Sequence, residues 1–145
     1  DIITIDMGCK INGYCSDMTR TIFVGEVPEA VKLVYDLVLK NQEQALQDMK
    51  DNANTKLISK MVDNDFRLHN YDLIHALGHG VGLEIHEGPI LSINSENVLR
   101  ENMVVTDEPG IYIAGQFGVR IEDTVLITKG GSEPLTKSPK RYVVV

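Results

Sequence analysis

His75-Ala-Leu-Gly-His79-Gly-Val-Gly-Leu-Glu84-Ile-His86-Glu87 gathers three of the chain's four histidines, with Gly78, Gly80 and Gly82 around the middle one. Glycines at these points let the backbone approach a metal or a substrate closely. A phosphate loop is a competing reading, but no Lys-Ser/Thr follows and the segment is not a strand-to-helix turn of GxGxxG form. HExxH is absent, which argues against the helix of a single-zinc metalloprotease. The segment therefore reads as part of a chelating site whose other donors lie elsewhere in the chain.

Working outward, four carboxylates are candidate partners for His79. Asp6 and Asp17 flank Asn12-Gly13, the strongest short hairpin signal in the chain. Hairpin register would bring the two carboxylates together, and close carboxylates repel unless a cation lies between them. The plainer reading is one edge Asp and one turn Asp. Glu108 precedes a Pro-Gly turn, and Glu122 follows Ile121 and precedes the run Thr124 to Ile127. A carboxylate facing inward from such a strand needs a partner or a metal. Arg120, two positions earlier, is the alternative: a simple salt-bridge partner on the same strand face. Asp107 would add negative charge beside the site.

Around these residues the chain has an α+β pattern. Residues 1 to 7 and Thr19 to Val24 read as strands joined through Asn12-Gly13, with Asp6 on one and Asp17 leading into the other. From Pro28 to about Lys50, Val31, Val34, Tyr35, Val38, Ala45, Leu46 and Met49 recur at helical spacing, with Pro28 and Glu29 suited to a first turn. A shorter helix is predicted from about Asn54 to Phe66, with Leu57, Ile58, Met61 and Val62 inward. Five strands follow: Leu73 to Leu77, Val81 to Ile85, Met103 to Thr106, Gly110 to Ala114 and Val119 to Thr128. Strand pair, two helices, then strands implies an antiparallel sheet with the helices on one face.

The 145 residues make one domain, with 43% hydrophobic and 24% charged residues, as in ordinary globular proteins. A net charge of -7 argues against a nucleic-acid partner. Setting aside the four candidate carboxylates leaves -3, a difference that two bound dications would neutralise. Cys9 and Cys15 lack zinc spacing and read as reduced thiols. No apolar run reaches membrane length, and there is no charged-then-apolar leader, so the chain reads as cytoplasmic. It opens on Asp-Ile-Ile-Thr-Ile-Asp, already inside a strand pattern, as would a piece of a longer protein.

The ordered motifs resemble those of the pita-bread metallopeptidases: prolidases, aminopeptidase P, methionine aminopeptidases and the non-metal creatinases. The likeness runs from Asp6 to about Thr136. Ser16-Asp17-Met18-Thr19-Arg20-Thr21, His86-Glu87-Gly88-Pro89 and Val119-Arg120-Ile121-Glu122-Asp123 are closest to the proline-directed branch. The resemblance implies the C-terminal portion of a catalytic domain over residues 1–145, lacking an earlier pseudo-two-fold-related half, with exposed edges that favour a homodimer.

The resemblance also implies two divalent metals held by Asp6, Asp17, His79, Glu108 and Glu122. Mn²⁺ suits the oxygen-rich set, and Co²⁺ or Zn²⁺ are alternatives. The metals would hold a bridging hydroxide that attacks a peptide bond next to proline, with Glu108 moving protons, His75 and His86 lining the pocket, and Arg120 orienting a carboxylate or contacting a product. A catalytically silent module on the same fold and a methionine aminopeptidase-type exopeptidase are the rival readings. The complete ligand set argues against the first, and Arg120-Ile121-Glu122-Asp123 against the second.

Overall fold

The structure, a computed structural model, describes residues 1–145. Strands β1 (Ile2–Met7) and β4 (Met18–Phe23) pair antiparallel, with Asp6 opposite Thr19. Between them the short ribbon β2 (Lys10–Ile11) and β3 (Tyr14–Cys15) turns at Asn12 and Gly13, whose φ values of 52° and 88° are what a tight primed turn requires. The hairpin expected from Asn12-Gly13 is therefore present.

Helix α1 spans Glu29–Asp48 and α2 spans Thr55–Leu68. Val31, Val34, Tyr35, Val38 and Ala45 face the core as the helical spacing predicts. In α2 the buried stripe is Ile58, Val62 and Phe66, while Leu57, expected inward, is 68% exposed. The four-residue steps among Ile58, Val62 and Phe66 set the inward face, which leaves Leu57 on the far side of the first turn. The Asn54 side chain caps α2 by accepting from the Leu57 amide at 3.2 Å.

The remaining strands are β5 (Gly78–Gly80), β6 (Glu87–Leu91), β7 (Val104–Asp107), β8 (Gly110–Ile113), β9 (Phe117–Arg120), β10 (Asp123–Ile127) and β11 (Ser132–Pro134). A five-stranded antiparallel sheet runs β11-β10-β7-β5-β6, and β8 and β9 form a separate ribbon. The single sheet expected from the sequence is thus one larger sheet and three ribbons. No strand covers Leu73 to Leu77 or Val81 to Ile85; the strand between them holds His79 instead. Leu73, Leu77 and Val81 are apolar because they are buried, and burial without pairing mimics a strand pattern. The predicted strand Val119 to Thr128 is broken at Ile121 and Glu122.

One core joins Val31, Val38 and Ala45 of α1, Val62 and Phe66 of α2, and Val105, Ile111, Val119, Val125 and Ile127 of the strands. The sheet, the β8–β9 ribbon and, through Phe23, the β1–β4 pair are therefore parts of one packed unit. No helix is long and apolar enough to cross a membrane.

Candidate metal centre

The donors converge from five places. Asp6 is the penultimate residue of β1, Asp17 precedes β4, His79 is the centre of β5, Glu108 follows β7, and Glu122 sits in the break between β9 and β10. That break is held by the Glu122 amide, which donates to the Thr19 carbonyl at 3.0 Å and so ties Glu122 to β4. Gly78 and Gly80 make the placement of His79 possible. A Cβ at Gly78 would lie 2.0 Å from the Thr106 carbonyl oxygen, and one at Gly80 would lie 2.2 Å from that of Gly88. These glycines thus let neighbouring strands approach closely within the sheet.

Oxygens of Asp6, Asp17 and Glu122 lie within 4.8 Å of one another, and so do donor atoms of His79, Glu108 and Glu122. Glu122 is common to both groups. A third set within that limit is Asp17, His79 and His86. His79 Nε2 lies 3.2 Å from Glu108 Oε1 and 3.6 Å from Asp17 Oδ2. Its Nδ1 lies 3.0 Å from the Gly80 carbonyl oxygen, which requires the proton on Nδ1 and leaves Nε2 facing the carboxylates. The His86 ring, exposed, lies 4.4 Å from that of His79, centroid to centroid.

Arg120 is not the direct salt-bridge partner of Glu122 that strand alternation implies. Its Nη2 donates to Asp6 Oδ2 at 2.7 Å, and its Nε donates to Thr19 Oγ1 at 3.1 Å. Thr19 Oγ1 in turn donates to Glu122 Oε2. Because β9 ends at Arg120, the two-residue period no longer applies at Glu122, and the contact passes through Thr19. His75 Nδ1 donates to the Ala76 carbonyl at 2.7 Å, so its Nε2 accepts from the Tyr112 hydroxyl at 3.0 Å. Tyr112 accepts from Arg120 Nη1 at 3.0 Å. Tyr112, Thr19 and Thr106 are absent from the candidates read off the sequence; for Tyr112 and Thr19 the partners lie on other strands and leave no local signature, whereas Thr106 lies two residues before Glu108. Thr106 Oγ1 donates to Glu108 Oε1 at 3.0 Å while accepting from the His79 amide.

Asp107 belongs to none of the three donor groups. It is fully buried with neither oxygen hydrogen-bonded, and burial first, then Asp123 opposite it in the sheet, hold its carboxyl well above the ordinary range.

Residues 1–129 match the sequence profile of metallopeptidase family M24. This chain belongs to that family. The M24 chain is 46% identical over 145 residues to the Xaa-Pro dipeptidase of Pyrococcus horikoshii, covering 99% of this chain and 41% of that protein. Among solved structures, it matches the X-Pro aminopeptidase of Thermotoga maritima with a TM-score of 0.96 and 43% identity, over 100% of this chain and 42% of the other. The prolidase of Pyrococcus furiosus gives 0.93 and 47%, over 96% and 42%. The pita-bread α+β fold is thereby established. The chain spans about two fifths of the length of the curated relatives it matches.

The M24 cluster fits divalent metals on chemical grounds, because without them its carboxylates are too crowded to ionise together. Burial, then Glu108, pushes Glu122 up to about 8. Burial and the neighbouring Asp6 raise Asp17. For His79, burial favours the neutral ring, but the Glu108 hydrogen bond and nearby carboxylates outweigh it and raise its pKa.

A pH dependence follows. Glu122 rises from 4.5 to about 8, so the stability it contributes is complete below its unfolded pKa and is lost as pH climbs through about 8. His79 is also raised and shifts stability in the same direction. Protein kept in chelator should therefore melt at a lower temperature near pH 9 than near pH 6, read by calorimetry; a flat or rising trend would contradict this. Dication binding near neutrality should expel these protons, measurable as a buffer-dependent binding heat.

Proposed function

We propose that the chain carries the dinuclear metal centre of an exopeptidase cutting next to proline, either an Xaa-Pro dipeptidase or an Xaa-Pro aminopeptidase. The observation that carries this is Glu122, shared between two groups of donors that each suit one cation. Names of the relatives support the substrate class: an Xaa-Pro dipeptidase, a prolidase and an X-Pro aminopeptidase.

Asp6, Asp17 and Glu122 would hold one cation and His79, Glu108 and Glu122 the other, with Mn²⁺ the best fit to four carboxylates and one imidazole. When bound, such a pair supplies an acidified water, with a pKa of about 7 in the best zinc cases, and Lewis-acid polarisation of the scissile carbonyl. Glu108, held by Thr106 and His79, takes the proton of the attacking water on a carboxylate oxygen and returns it to the leaving nitrogen. His86 borders the cluster beside His79, where its ring nitrogens hold the peptide and steady the developing oxyanion, while His75, with both ring nitrogens engaged, holds the Tyr112 hydroxyl that meets Arg120. Arg120 fixes the Asp6 carboxylate and, through Thr19, that of Glu122. Proline in the substrate removes the N–H that ordinary peptidases bind, so selectivity rests on the shape of the pocket. The free thiols of Cys9 and Cys15 agree with a reducing, cytoplasmic setting.

Hydrolysis of Ala-Pro compared with Ala-Pro-Ala, with Mn²⁺ and with chelator, tests the reading. A dipeptidase is expected to cut the first, an aminopeptidase the second, each only with the metal. Cleavage of neither under any dication, or equal cleavage in chelator, would refute the proposal.

A further inference from the structure

Behind Glu122, on the side away from the cluster, Arg20 and Asp123 form an ion pair in which every donor and acceptor is used. Arg20 is 7% exposed and Asp123 1%. A guanidinium has five N–H donors. In Arg20 they go to the carbonyls of Pro139 at 3.1 Å, Thr19 at 2.8 Å, Glu122, and Ser138 at 2.9 Å, and to Asp123 Oδ1 at 2.7 Å. Asp123 Oδ1 also accepts from Thr136 Oγ1 at 2.6 Å, while Oδ2 accepts from Gln42 Nε2 at 3.1 Å and from Lys140 Nζ at 3.2 Å. Burying such a pair gains little stability, because desolvation offsets the attraction. What it does is fix geometry. One of the fixed points is the main chain of Glu122.

Four of the groups around the pair, Thr136, Ser138, Pro139 and Lys140, come from one segment that follows β11. Glu122 and Asp123 are adjacent. One side chain reaches the cluster and the other is gripped by this segment, so a shift in the grip tilts the Glu122 carboxylate. We infer that residues 136–140 form a strap that, through Asp123 and Arg20, positions Glu122 for metal binding. Arg20, Asp123, Thr136 and Lys140 are positioning residues with no contact to substrate. The inference rests on the reading of Glu122 as the shared ligand.

The test is Mn²⁺ titration by calorimetry of the wild type, Thr136→Val with Lys140→Met, Lys140→Arg, and Glu122→Gln, with melting in chelator measured alongside. Loss of outer partners of a ligand typically weakens metal affinity about 10–100-fold. The double variant is expected to show that loss, and Lys140→Arg to retain binding. Should the double variant fail to fold, Thr136→Val alone removes one hydroxyl at the protein's margin and is expected to shift affinity in the same direction. A lowered melting temperature in chelator with unchanged Mn²⁺ affinity would assign the strap to stability alone and overturn the inference. Loss of binding in Glu122→Gln but not in the strap variants would overturn it while leaving the metal site intact. A wild type that binds no Mn²⁺ overturns both.

Discussion

Glu122→Gln is expected to take the protein from two bound Mn²⁺ ions to at most one, and to remove most of the thermal stabilisation that the metal provides. The amide has the carboxylate's shape and still accepts from Thr19 Oγ1, so the local fold is kept. What disappears is the negative charge that both donor groups share. In chelator the same substitution should be harmless or mildly stabilising. Burial and Glu108 already push Glu122 up to about 8, so near neutral pH it is mostly protonated, and a neutral amide imitates that form. The contrast separates a ligand from a structural residue: no change without metal, a large change with it. Two Mn²⁺ ions in the variant, bound with wild-type heat, would rule out Glu122 as the shared donor.

Glu108→Gln is the second large effect, and it falls on turnover. Glu108 is half-buried, receives the Thr106 hydroxyl on one oxygen, and faces His79 Nε2 with the same atom. Gln preserves the size and loses both the ability to take a proton and the charge that helps hold the second cation. Hydrolysis of the Xaa-Pro substrate by the metal-loaded protein should fall about 10²–10⁴-fold, the usual contribution of a positioned acid–base group. The group Asp6, Asp17 and Glu122 is untouched, so one ion should still bind and KM should move much less than kcat. Turnover within a few-fold of wild type would remove Glu108 from the proton path.

Much of the site was legible because its chemistry is local in sequence. Asn12-Gly13 dictates a turn, and that turn brings the segments bearing Asp6 and Asp17 side by side whatever the rest of the chain does. The glycines around His79 marked a place of close approach, although the neighbours turned out to be other strands' carbonyls. For Arg120 it is only the alternative reading, a direct salt bridge to Glu122, that fails, and for the opposite reason. A two-residue alternation was extended across a strand break that exists only because the Glu122 amide pairs with Thr19, far away in the chain. Leu57 was misplaced because a four-residue helix stripe can be drawn through more than one set of apolar residues until packing selects one.

The amino-acid sequence by itself determined the two helices and the hairpin turn, and it marked five candidate donor side chains. These follow from backbone preference, hydrophobic period and side-chain chemistry, which act over a few residues. Only the tertiary structure decided that Glu122 is shared by two donor groups, that Arg120 reaches it through Thr19, that burial raises the Asp107 carboxyl, and that a strap from the chain's last ten residues grips Asp123. Each of these depends on groups about a hundred positions apart, or on opposing strands, sharing a few ångströms of space. Distance of that kind, and the burial that shifts a carboxyl's proton affinity, are set by packing and leave no local pattern to read.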